Sequence, residues 1–154
     1  MPEERLFTIR GKKPSSVKHS KLQLSSYDPT HQYLIVDFKV RPAGSPLNSD
    51  CYGILTLGED NSIDPSDPDF SNENQIAWAH SSVRQTVPPA IGESIEFYND
   101  SVIDDKLFAY DLWLHTEDAV GAEEVNFMVK IVRYKTSATA GSISSLRQYL
   151  VNTA

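Results

Sequence analysis

The sequence has very little cysteine and no long apolar run, and both absences limit what the chain can be. Cys51 is the only cysteine among 154 residues, so an intrachain disulfide is impossible. Apolar runs are only a few residues long, as at residues 33–36, whereas a membrane-spanning helix needs about 20 residues. The segment Met1-Pro2-Glu3-Glu4-Arg5 lacks the apolar core of a secretory signal. We therefore expect no disulfide, membrane span or export signal.

Motifs for catalysis and phosphate binding are also missing. The Gly-x-Ser-x-Gly pattern does not occur, and residues 11–13 are too short for a phosphate-binding loop. Asp50 beside Cys51 would raise the pKa of the thiol and make it less reactive, so Cys51 is expected in the core. His115 precedes two carboxylates and could act as a base, but a polar residue at a strand end is the simpler interpretation. We predict no catalytic residue and no enzyme activity.

Charge is distributed unevenly along the chain, although its net value is only −7. Residues 1–21 hold six cations and two acids, residues 22–49 are balanced, and residues 50–124 hold 17 acids and two cations. Residues 125–154 hold four cations and no acid. Basic ends and an acidic middle favour electrostatic contact between copies of the same chain, weakened by salt.

Apolar residues recur mainly with a period of two, which is typical of β-strands. Clear alternation occurs in residues 34–41, 108–115 and 127–132, and in the last two segments both faces are apolar. Such strands suit the centre of a sandwich or a surface covered by another chain. Shorter candidates bring the total to about eight strands: residues 5–10, 21–25, 51–57, 75–83 and 93–98.

About eight strands separated by proline and glycine turns predict an all-β, antiparallel sandwich, with a jelly roll or a related Greek key as the preferred arrangement. Turns are expected at residues 27–29, 42–46, 87–89 and 99–100, and the strands around residues 117–124 should form a hairpin. Residues 58–74 are too many for a tight turn and predict a crossover or rim loop. We divide the chain into a basic arm or edge strand (1–21), a β domain (22–137) and a C-terminal tail (138–154). Ser142 could cap a short helix at residues 142–151 in that tail.

The long loop is a candidate calcium site. Flexible carboxylates of the kind that Ca²⁺ prefers are crowded there, including Asp60, Asp64, Asp67 and Asp69. The EF-hand pattern fails, because counting from Asp60 places proline at its glycine position and serine at its final glutamate position. A solvated acidic loop is the favoured interpretation, so we expect no cofactor and keep Ca²⁺ as the alternative.

Two further surfaces could bind partners. The basic N-terminal segment could contact phosphates, but its charge is modest, so we expect only weak nucleic-acid contact. Aromatic side chains could instead form a sugar-binding platform, although in a β-sandwich most such rings are core. The candidate platform residues are Trp78, Tyr98, Tyr110, Trp113, Phe127 and Tyr134.

The strands at residues 107–118 and 125–134, taken as a hairpin, resemble hairpins of small β-sandwich or jelly-roll structural proteins of bacteriophages and other small viruses. The resemblance implies a capsid or other virion protein, present in many copies and assembled in the host cytoplasm. We therefore expect self-assembly with other copies and other virion proteins and no membrane contact. The alternative is a carbohydrate- or protein-binding module. Expected interface residues are Arg5, Arg10, Lys12, Lys13, Lys18, Trp113, Ile143, Leu146 and Leu150.

Overall fold

The computed structural model describes residues 4–24, 31–43, 49–85, 95–109, 111–118 and 124–135. Within these ranges the chain forms eight strands and no helix. The strands are β1 (Glu4–Pro14), β2 (His19–Leu22), β3 (His31–Pro42), β4 (Ser49–Thr56), β5 (Gln75–Gln85), β6 (Ile95–Ile103), β7 (Leu112–Asp118) and β8 (Glu124–Lys135). The described residues include no helix with the length and apolarity that a membrane crossing requires.

The strands form two antiparallel sheets. One has three strands in the order β1-β8-β3, and the other has five in the order β2-β7-β4-β5-β6. The predicted all-β class with about eight antiparallel strands is therefore confirmed. The helix expected at residues 142–151 lies outside the described residues, as do the turns expected at residues 27–29 and 87–89.

One buried cluster joins the two sheets and fixes which face of each strand points inward. Phe38 and Val40 of β3 contribute to it from the three-stranded sheet, and Leu55 of β4 and Leu114 of β7 contribute from the other. Gly53 lies at a close approach, because a Cβ there would be 2.6 Å from Val40 Cγ1. The opposite face of each sheet is called its outer face below.

The predicted hairpin between the last two strands is wrong. β7 lies between β2 and β4 in the five-stranded sheet, whereas β8 lies between β1 and β3 in the other. Each is a central strand with a hydrogen-bonded neighbour on both sides in its own sheet. β7 and β8 therefore belong to different sheets and do not pair with each other.

Three local predictions also need correction. β7 begins at Leu112, and Phe108 instead forms an isolated bridge with Tyr33. The turn expected at Asn99-Asp100 lies inside β6. β6 is the last strand of its sheet, and an edge strand tolerates polar and charged side chains because one side faces solvent. The loop at residues 58–74 joins β4 to its neighbour β5, so it is not a crossover.

The segment at residues 1–21 contributes strands to both sheets. β1 is the edge strand of the three-stranded sheet and pairs with β8 over eleven positions. β2, which begins at His19, is the edge strand of the five-stranded sheet and pairs with β7. Removing this segment would therefore take a strand from each sheet.

Candidate functional site

A covering loop, residues 58–74, lies over the outer face of the five-stranded sheet. Ile54 of β4 points to that face, since its neighbours Gly53 and Leu55 face the core, yet it is only 1% exposed. Ile63 and Pro65 of the loop are also buried. Alternation would place the Ile54 side chain on a surface that faces solvent. The covering loop encloses this part of the outer face instead, and two unusual environments result.

The first environment is a pair of histidines in the outer face. His19 of β2 and His115 of β7 are cross-strand partners, with their Nδ1 atoms 2.7 Å apart. His115 is fully buried, and its Nε2 lies 2.9 Å from Thr56 Oγ1. The Thr56 hydroxyl donates its proton to the Gly58 carbonyl at 2.7 Å. His115 Nε2 must therefore be the donor to Thr56, and His115 Nδ1 accepts a hydrogen bond from His19.

The electrostatics of this pair favour neutral imidazoles. Burial, reinforced by the nearby His19, lowers the pKa of His115 to about 4, while the Asp60 carboxylate opposes the shift. Burial also lowers the pKa of His19, and Lys13 and Lys18 add to this effect. A proton on His115 Nδ1 would remove the acceptor that holds His19. Protonation of His115 at low pH would therefore break the hydrogen bond between the two histidines.

Lys13 adds a buried cation beside the pair. Its side chain is enclosed, and Nζ donates to Ser20 Oγ at 3.0 Å. Burial lowers the pKa of Lys13 to about 8. The Lys13 side chain is only 7% exposed, and its ammonium is turned into the protein.

The second environment is an aromatic groove of about 190 Å³ at the edge of the covering loop. Tyr52 and His80 stack with centroids 4.7 Å apart and planes 4° apart. Phe70 meets Trp78 edge-on, also at 4.7 Å, and is 67% exposed. Ser66, Asp100 and Ser101 supply polar groups at the lining. Flat rings with polar groups beside them suit a small polar ligand.

An ion pair supports the groove. Asp50 lies against Arg84, and its Oδ1 is 3.2 Å from His80 Nε2. Burial alone would raise the pKa of Asp50, but hydrogen bonds from Arg84, His80 and Ser82 outweigh burial and lower it. The carboxylate therefore stays charged near neutral pH and orients the His80 ring against Tyr52.

The predicted aromatic platform is not one surface. Trp78 lines the groove, and Trp113 lies on the same outer face with Lys21 Nζ 5.9 Å from its ring centroid. Phe127 instead packs against the core. Tyr98 is exposed on β6, Tyr134 lies on β8 in the other sheet, and Tyr110 lies outside the described residues.

The acidic loop uses its carboxylates internally. Asp64 Oδ1 accepts hydrogen bonds from the backbone N and Oγ of Ser66, at 3.0 and 2.7 Å. Asp60 and Asp69 do the same with the serine two residues later. Hydrogen bonds from these serines lower the pKa of each carboxyl. In the part of the chain that the structure describes, no three His, Cys, Asp or Glu side chains are grouped as metal ligands.

The expected interface residues are dispersed. Arg5, Arg10 and Lys12 are exposed on β1, and Lys18 lies 3.6 Å from Glu117 of its own chain. Ile143, Leu146 and Leu150 lie outside the described residues. The histidine pair was not predicted, because His19 and His115 are 96 positions apart and only the strand pairing and the covering loop bring them together.

Comparison with protein-family models, with curated proteins and with solved structures gave no significant match.

Proposed function

We propose that this chain is a virion structural protein with a jelly-roll fold, and that it acts by self-assembly. The observation that carries the proposal is the strand order β1-β8-β3 and β2-β7-β4-β5-β6. In a jelly roll the first strand pairs with the last and the second with the last but one, as β1/β8 and β2/β7 do here. β6 departs from this pattern, because it pairs with β5 and not with β3, although it also contacts β3.

Capsid subunits commonly use this fold, and it offers broad sheet surfaces for contacts between copies. Large apolar side chains are exposed on both sheets. Leu6 and Val36 are exposed in the three-stranded sheet, at 62% and 44%. Phe70, Tyr98 and Val102 are exposed at or near the aromatic groove. Burial of these groups between copies would supply the association free energy.

The proposed partners are other copies of the chain and other virion proteins, assembled in the host cytoplasm through β surfaces and terminal extensions. Charge pairing between copies has less support than the sequence suggested. Lys18 and Lys21 lie near Glu117 and Asp111 of the same chain, and Lys13 is buried. Assembly is therefore expected to depend more on apolar contact than on salt.

The test is the mass of the purified chain by light scattering and electron microscopy. We expect oligomers larger than dimers, and Leu6→Glu should shift the distribution towards monomer. Val17→Glu, at an exposed apolar position in the turn between β1 and β2, is the control. A chain that stays strictly monomeric at high concentration and low salt would refute the proposal. Deletion of residues 1–21 is unsuitable, because it removes β1 and β2.

A carbohydrate-binding module is the second candidate, and the aromatic groove favours it. Tyr52, Phe70 and Trp78 present rings beside hydrogen-bonding groups, as sugar recognition requires. A panel of oligosaccharides would be titrated while amide shifts are followed by NMR. Saturable shifts centred on Trp78 in a monomeric chain would favour this function over assembly. If no oligosaccharide of the panel produces such shifts, the carbohydrate-binding function is refuted.

A further inference from the structure

The register of the three-stranded sheet gathers cations on its outer face. Cross-strand partners project to the same side of a sheet, so three rows can be read directly from the pairing. The first row is Lys12, Asn126 and Arg41, the second is Arg10, Met128 and Lys39, and the third is Thr8, Lys130 and Asp37. Phe38, Val40, Val129 and Ile131 face the core, which confirms that these rows point outward.

We call these nine positions the basic face. They hold five cations and one acid, Asp37, whose Oδ2 lies 3.7 Å from Lys39 Nζ. Arg10 and Lys12 are exposed, and neither they nor Lys130 form an ion pair with any residue in the described ranges. The cations extend about 14 Å along the strands and about 10 Å across them.

One end of the basic face borders a cavity of about 250 Å³. The cavity is lined by Lys39, Arg41, Asn126 and Met128 of the basic face, by Asn99 of β6, and by the core-facing Val40 and Phe127. Cationic side chains can contact phosphates, and the asparagine amides can both donate and accept hydrogen bonds to sugars or base edges. Met128 offers an adaptable apolar contact. This combination matches a ligand with repeated anionic groups and flat polar rings.

We propose that the basic face binds single-stranded nucleic acid, mainly through the phosphate backbone. A sheet surface of this size suits a flexible strand that can follow the rows of cations. Single-strand binding without sequence preference combines a positively charged groove with aromatic rings that stack on bases, and of these the basic face supplies the positive charge. This proposal does not rest on the virion function, because the charge geometry is the same whatever the chain assembles with.

The acidic covering loop of a second copy is the competing partner, and the structure favours it less. Three of its carboxylates, those of Asp60, Asp64 and Asp69, already accept hydrogen bonds from serines of their own loop. Pairing with a basic face would compete with these hydrogen bonds. Backbone phosphates have no such internal partners.

The experiment measures binding of the full chain to a fluorescein-labelled thirty-nucleotide oligo(dT) by fluorescence anisotropy across a range of NaCl concentrations. If all five cations contact phosphates, the plot of log K against log[NaCl] should have a slope of about −3.5, since each contact on a single strand contributes about −0.7. Removing Arg10 and Lys130 together, as Arg10→Gln/Lys130→Gln, should weaken the slope to about −2.

Lys21→Gln/Lys106→Gln is the matched control, because it also removes two positive charges, one in β2 and one after β6, away from the basic face. It should leave the slope unchanged, and far-UV circular dichroism should show the same β content in every variant. An unchanged slope in the double variant would overturn the proposal. Equal weakening by Lys21→Gln/Lys106→Gln would also overturn it, because binding would then follow net charge alone.

The full chain without oligonucleotide tests the competing partner. We expect Arg10→Gln/Lys130→Gln to leave the particle mass measured by light scattering unchanged. A lowered mass together with an unchanged salt slope would assign the basic face to another copy of the chain and refute nucleic-acid binding. Leu6→Glu, which tests assembly through apolar contact, keeps this outcome separate from failure of the assembly proposal.

Discussion

Replacement of His115 by glutamine should change how stability depends on pH. In the native chain His115 is buried and neutral, with Nε2 against Thr56 and Nδ1 against His19. Glutamine can keep a donor near the Thr56 hydroxyl but, unlike histidine, cannot take up a proton between pH 4 and pH 7. At pH 7 we expect His115→Gln to be less stable by about 1–2 kcal/mol, because the contact with His19 and some packing are lost.

The magnitude of the pH effect follows from the pKa of His115. Its pKa is about 4 in the folded chain, against about 6.5 for an unperturbed histidine. Between these values the unfolded chain binds a proton that the folded chain does not, so the free energy of unfolding decreases as pH falls from 6.5 to 4. A difference of this size corresponds to about 3 kcal/mol. The loss ends below pH 4, where both states bind the proton.

Urea unfolding followed by tryptophan fluorescence at several pH values from 7.5 to 4.5 would measure this. Titration of the carboxyl groups affects native and variant chains alike and cancels in the difference between their free energies of unfolding. That difference should shrink with falling pH and reverse sign near the acid end. His31→Gln, which removes a histidine outside the pair, controls for the substitution itself. A difference that stays constant within about 0.5 kcal/mol would refute a buried neutral His115.

Three other substitutions test the packing and the buried lysine. Gly53→Ala should lower stability by about 1–3 kcal/mol in thermal denaturation, because its Cβ would lie 2.6 Å from a Val40 methyl; Gly11→Ala, with its nearest contact at 3.4 Å, should be tolerated. Phe38→Ala should cost about 3–5 kcal/mol in urea unfolding, because Phe38 is fully buried. Lys13→Met should raise the free energy of unfolding at pH 7 and abolish the increase in stability expected as pH rises from 8 to 10.5, where only the unfolded chain keeps the lysine proton.

Alternation along the sequence predicted the strands better than it predicted their partners. The strands at residues 51–57 and 75–83 were placed within two residues of β4 and β5 at each end. Pairing depends on contacts between distant segments, so β7 and β8 were assigned to each other because they are neighbours in sequence. Their apolar outer faces indicated central strands but could not say that the strands belong to different sheets.

Prediction of the candidate sites was limited in the same way, because the sites also depend on contacts between distant segments. His115 was interpreted as a polar residue at a strand end, but it is the middle residue of β7 and is fully buried. The covering loop lies over its side of the sheet, and no local pattern predicts where a long loop will lie. The basic N-terminal residues were grouped by sequence, whereas the fold separates them. Lys13 turns inward, while Arg10 and Lys12 join Lys39, Arg41 and Lys130 from strands more than 20 positions away.

Pairing of the first strand with the last has a consequence for how the chain folds. Among the described residues β1 pairs only with β8, which is synthesised more than 100 residues later, and β2 waits almost as long for β7. Loops of this length must close before their strand pairs form, so folding is expected on the slow end of the millisecond-to-second range. During synthesis Leu6, Phe7 and Ile9 remain without their partner strand and are open to association with other nascent chains. Chaperone binding near the N-terminus during translation would therefore protect these side chains until β8 has been synthesised.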